Sequence, residues 1–263
     1  MVMAHDEDPP AKFRVLLLGD STVIGSVCRE MNPKDDTLEQ VVGKLLAAEA
    51  LPPVEVVNRG RDGDSISSLL SRLDQEDVSG FDFIFIRYGL NDICELSDFE
   101  SEFSANYREL ISRLRADHLQ AEIVLETVIP YAGENPVFRD PERTIDTINR
   151  QVRAVAAIEE LRVLDQHGPY ADELRHGPRM LSYRRVGLAA IPVKYHALIP
   201  PEAIRREPPT MGRVVYTFDN LLDVHLAEVP GWFQNRHPNP AGYQVIGAQL
   251  ADYIGRRLRE KAS

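Results

Sequence analysis

Cysteine is scarce in this chain: Cys28 and Cys94 are the two present in 263 residues. That rules out a disulfide framework and a cysteine-based metal site, and a lone Cys28–Cys94 bridge is disfavoured in a reducing compartment. Long apolar runs are missing as well, since no uninterrupted stretch nears the ~20 residues that a membrane-spanning helix needs. Positive charge is in short supply, with 30 Lys and Arg against 41 Asp and Glu and a net charge of -11. So acidic a chain is a poor match for nucleic acid or for an anionic membrane. Near the N-terminus stand His5, Asp6, Glu7 and Asp8, where a secretory signal would place a basic residue and an apolar core. The expectation is a cytoplasmic protein with neither nucleic acid nor membrane as a partner.

What is present is an ordinary globular composition, 43% apolar and 27% charged, enough for a sizeable core. Val15-Leu16-Leu17-Leu18 is four apolar residues in a row, as in a strand covered on both faces of a parallel sheet. Gly19 then permits a sharp exit and leaves Ser21 at the carboxyl edge, where open α/β sheets place their chemistry. Further strands are expected at 54–57, 81–86, 123–128 and 161–164. Helices are expected at 37–50, 65–75, 97–117, 142–160 and 240–259, the last with Asn239 as N-cap and Pro240 at its first position. Strand and helix therefore alternate five times, which predicts a flavodoxin-like three-layer α/β/α fold on a five-stranded parallel sheet.

Residues 1–11 read as a disordered acidic arm and 12–263 as one domain. Residues 166–236 break the rhythm before the last helix and hold 8 of the 18 prolines. Long connections of this kind are usually functional or a separate element. The region reads as an inserted lid-like cap, with short elements near 184–191 and 214–222. An arm for homo-oligomer formation and plain surface elaboration fit it equally well.

Four segments fall on the same sheet edge: Gly19-Asp20-Ser21, Asn58-Arg59-Gly60, Gly89-Leu90-Asn91-Asp92 and His237-Pro238-Asn239-Pro240. Singly, each has an ordinary role. Gly60 can close a turn, Asn91 and Asp92 can cap a helix, and His237 can be a loop residue. Jointly and in this order, they resemble the name-giving blocks of the SGNH hydrolases, also called the GDSL esterase/lipase family. The flanks agree too, in Asn58-x-Gly60-x-x-Gly63-Asp64 and His237-Pro-Asn-Pro-Ala-Gly-Tyr243. The resemblance covers roughly residues 13–165 and 237–258, but not the insertion.

The resemblance implies a metal-independent, cofactor-free serine esterase working through an acyl-serine intermediate on a substrate range that includes lipid esters. The acidity of the chain favours small soluble carboxylic esters over anionic phospholipids. Ser21 would be the nucleophile and His237 the base. The backbone N–H groups of Ser21 and Gly60 and the Asn91 amide would form the oxyanion hole. The residue types suit these roles. A nucleophile needs a base within hydrogen-bond reach, and an amide donates without carrying charge. Gly60 would let the backbone approach the substrate closely. One departure stands out, because the family usually places an aspartate three residues before the histidine and this chain has Gln234. A carboxylate could arrive from Asp219 or Asp223 in the insertion, or a Ser–His dyad could work with an amide or backbone acceptor. The other reading is a catalytically weakened or non-hydrolytic binding protein on the same fold. A nucleotide site at Arg59–Gly63 is disfavoured, because that loop matches neither phosphate-binding glycine pattern.

Overall fold

The computed structural model describes residues 12–25, 29, 34–117, 120–130, 140–176, 181–207, 212–218, 221–232 and 237–262. Five parallel strands form the central sheet in the order β2-β1-β3-β4-β5. They are β1 (Phe13–Gly19), β2 (Val54–Asn58), β3 (Phe83–Arg87), β4 (Glu122–Glu126) and β5 (Arg162–Leu164). All of β3 is buried, as its central place between β1 and β4 demands. The pleat sends alternate residues to opposite faces, and here it divides two cores. Leu16, Leu18, Ile84, Ile86 and Leu125 face one, while Val15, Leu17, Phe83, Phe85 and Val124 face the other. Covering each face of the sheet with helices is what makes near-continuous apolar strands.

The first face is covered by α3 (Ile66–Arg72), α5 (Phe99–Asp117) and α6 (Pro141–Ile158). The second is covered by α2 (Leu38–Ala47) and the long C-terminal α9 (Pro240–Ala262). The one-turn α1 (Ser21–Ile24) and α4 (Asp92–Glu95) follow β1 and β3 directly. This is the three-layer α/β/α arrangement. The third strand starts at Phe83 rather than residue 81, because Arg14 N donates to the Asp82 carboxylate (2.8 Å) where a ladder bond would otherwise begin. Among the described residues no helix is long and apolar enough to cross a membrane.

The region before the last helix divides in two. Its first part, α7 (His167–Arg175), packs back on the main core through Tyr170. The second part forms an antiparallel sheet in the order β6-β8-β7, from β6 (Arg184–Gly187), β7 (Ile204–Glu207) and β8 (Gly212–Thr217). It has its own apolar core, including Val186, Ile191, Val215, Leu226 and Trp232. Trp232 is therefore an anchor for this sheet, and its Nε1 donates to Asp223 Oδ1 (2.6 Å) at the start of α8 (Asp223–Leu226). An antiparallel seam joins the sheet to the main body. In it Ser182 bridges Pro238, Tyr183 N donates to His237 O (3.2 Å) and Asn239 N to Leu181 O (2.9 Å).

Candidate active site

Ser21 is the first residue of α1, and its N–H therefore lacks an intrahelical acceptor. Asp20 caps the turn, accepting from Thr22 N (2.8 Å) and from the Thr22 hydroxyl (2.7 Å). Beneath it, the buried Arg87 at the end of β3 donates to Thr22 O (3.0 Å). Its guanidinium also faces Glu126 at 3.4 Å, and burial pushes that carboxyl above the usual range. Gln166 Nε2 donates to the same Glu126 oxygen (2.8 Å). A buried polar network thus fixes the turn that carries Ser21.

His237 arrives from the other end of the chain and places Nε2 2.9 Å from Ser21 Oγ. Its other ring nitrogen, Nδ1, lies 3.2 Å from the Tyr183 hydroxyl, and the two rings lie 5.5 Å apart. Tyr183 is the site residue that the sequence does not announce. It lies 54 positions before His237 in a stretch without a motif, and the antiparallel seam brings the two together. Of the orienters named from the sequence, Asp223 is engaged elsewhere, with Trp232 Nε1 and, at 3.5 Å, with Arg184. Gln234 and Asp219 lie outside the described residues.

Asn91 sits just beyond β3. Gly89 turns the chain there at φ +136°, and a Cβ at that position would stand 2.3 Å from Ile148 Cγ2. The Asn91 amide donates to Asp64 O (2.8 Å), which sets its direction. Asp64 is itself held by a two-pronged bond from Arg72 (2.8 and 2.6 Å) and by the Tyr88 hydroxyl (2.8 Å). Burial and the Asp64 charge push the Tyr88 phenol well above its ordinary value.

Asp92 does not cap its own helix. Its Oδ1 accepts from Ile66 N (2.9 Å) at the start of α3, and Oδ2 is buried with no hydrogen-bond partner. Burial raises its carboxyl to about 7.

Gly60 lies beside α1, and a Cβ on it would stand 2.7 Å from Ile24 N. Close packing of the two loops already requires a glycine. Its N–H donates to Asn58 Oδ1 (3.0 Å), while Asn58 Nδ2 donates to Val23 O (2.8 Å). Among the described residues no group of three or more His, Cys, Asp or Glu side chains is placed to hold a metal ion.

No curated protein sequence matches this chain. Solved structures do. A lipase/acylhydrolase from Enterococcus faecalis is 20% identical, with a TM-score of 0.56, over 93% of this chain and 96% of that one. An acetylxylan esterase from Geobacillus stearothermophilus is 19% identical, with a TM-score of 0.57, over 92% and 94%. A GDSL-like lipase from Bacteroides thetaiotaomicron is 16% identical, with a TM-score of 0.52, over 93% and 88%. At such identities the likeness shows the fold alone. The sequence itself matches the model of the GDSL-like lipase/acylhydrolase family over residues 17–196. With more than half of its length matched, the chain belongs to the GDSL-like lipase/acylhydrolase family.

Proposed function

We propose that this family member is a serine esterase that hydrolyses small soluble carboxylic esters, with Ser21 as nucleophile and His237 as general base. The observation that carries the reading is the 2.9 Å approach of Ser21 Oγ to His237 Nε2 across 216 positions of chain. Ser21 Oγ attacks the acyl carbon and its proton passes to Nε2. The tetrahedral intermediate collapses as His237 returns that proton to the leaving alcohol. Water then repeats the sequence on the acyl-serine, with His237 taking a proton from it and restoring Ser21.

With Nε2 accepting from the Ser21 hydroxyl, Nδ1 carries the ring proton and donates to the Tyr183 oxygen. Tyr183 thereby holds the tautomer that the attack needs, although a neutral phenol cannot balance the imidazolium charge. The developing oxyanion is met by Ser21 N–H, by the Asn91 amide that Asp64 orients, and by Gly60 N–H, shared with Asn58 Oδ1. Each such donor contributes about 3 kcal/mol to the transition state.

Ser21→Ala tests this on a short p-nitrophenyl ester, with circular dichroism to confirm the fold. Hydrolysis should fall to near background, and retention of more than about a tenth of wild-type activity would remove Ser21 from the role.

A further inference from the structure

Beside the Ser21 turn lies a set of buried polar side chains that serves the fold poorly. Arg87, Glu126 and Gln166 are each at most 2% exposed. Arg87 meets Glu126 through one contact of 3.4 Å, well beyond the ~2.7–2.9 Å of a good charged bond. Among the described residues, Arg87 Nε and Gln166 Oε1 are buried with no hydrogen-bond partner. A buried pair left half satisfied often costs a fold more than apolar side chains of similar volume. Stability therefore does not account for it. We propose that Arg87 is a positioning residue for the reaction, fixing through Thr22 O the turn that presents Ser21.

The inference rests on the serine-esterase reading and deepens it. Helix α1 has a single turn, so its carbonyls find no partners further along a helix. Thr22 is buried, and bulk water does not reach its carbonyl. Arg87 donates to that carbonyl from one nitrogen of its fork, at 3.0 Å, while the other faces Glu126. A lysine, with one nitrogen, has no such fork. Asp20 ties the same residue at Thr22 N and Oγ1. Thr22 is thus clamped twice, and Ser21 takes its direction from the adjoining peptide.

Arg87 stands in the right place because β3 ends against the turn. It pairs with Gly19 in the parallel register, and a Cβ on Gly19 would stand 2.7 Å from Arg87 O. Gln166 Nε2 donates to the Glu126 oxygen that faces the guanidinium (2.8 Å). Glu126 and Gln166 therefore hold Arg87, and Arg87 holds the turn.

Two variants that differ only at residue 87 test this on a short p-nitrophenyl ester. Glu126→Gln removes the negative charge, leaves an acceptor for Arg87 and Gln166, and keeps the bond to Thr22 O. Arg87→Met/Glu126→Gln takes that bond away and leaves no buried charge unpaired. Folding is checked by circular dichroism. Arg87→Gln, too short to reach Thr22 O, carries the test if the double variant does not fold. Each protein is titrated with a fluorophosphonate, so that kcat is counted per reactive Ser21. Glu126→Gln should stay within about three-fold of wild type in kcat. The Arg87 variants should still label to one adduct per chain, but at least about 10-fold more slowly. Their kcat should fall in proportion, with KM within about three-fold, since a misplacement of about 1 Å can cost ~100-fold. Folded Arg87 variants with wild-type kcat and labelling would overturn the proposal. So would a change confined to KM, or a loss in Glu126→Gln equal to that of the double variant. Wild-type protein that neither labels nor turns over an ester would instead overturn the esterase reading, and this inference with it.

Discussion

Tyr183 and Asp92 show how much a single group contributes once its surroundings are known. The phenol beside His237 Nδ1 stands where a carboxylate would hold the ring more strongly, because a charge-assisted bond is about twice as strong as a neutral one. Tyr183→Phe removes that bond and keeps the ring contacts with Tyr216 and Phe218. It should lower kcat by roughly 10-fold, as expected for a bond of about 1–1.5 kcal/mol, with KM within about two-fold. A loss confined to KM would mean that Tyr183 contacts substrate instead. Asp92 makes a statement about stability. Burial holds its carboxyl at about 7, so the folded chain keeps a proton that the unfolded chain releases near pH 4. Its contribution is therefore most favourable at low pH and declines as pH climbs from about 4 to 7. Asp92→Asn stays neutral and keeps the acceptor for Ile66 N. Urea denaturation at pH 5 and pH 8 should show the variant gaining about 2.5 kcal/mol on wild type over that interval.

Helix α9 begins at a residue that makes two connections. Asn239 Oδ1 accepts from Gly242 N (2.9 Å) and caps the helix, while its Nδ2 reaches Phe218 O. Asn239→Ser keeps a cap and loses the reach, whereas Asn239→Ala loses both. The alanine variant should be less stable than the serine variant by about 1 kcal/mol. Both should be cut faster than wild type within residues 184–217 under limited proteolysis, and unchanged cutting would show that the Phe218 tie is idle. Asn239 and Pro240 were legible because capping is local chemistry, and the central strands were legible because burial on both faces demands unbroken apolar runs. The inserted sheet was harder to read. Its β7, Ile-Arg-Arg-Glu, is a charged edge strand, and nothing in its own residues marks its pairing with β8. Tyr183 was hidden for the same reason, since a seam between distant segments has no sequence period. Gly60 was singled out for approach to substrate, yet contact with Ile24 N already explains it.

Across the whole molecule, the parallel order β2-β1-β3-β4-β5 sends β1, β2 and β3 into Ser21, Gly60 and Asn91 at one edge. The antiparallel seam then returns His237 to that edge from beyond a separately cored sheet. The site therefore depends on the two cores of the central sheet, on the separate core of the inserted sheet and on the seam that joins them. A fluorophosphonate probe followed by peptide mapping tests that convergence most directly, because covalent labelling needs an activated serine rather than merely an exposed one. The wild type should take a single adduct, on Ser21. The adduct should form far more slowly in His237→Ala and be absent in Ser21→Ala. A folded wild-type protein that takes no label, or takes it at another residue, would contradict the account.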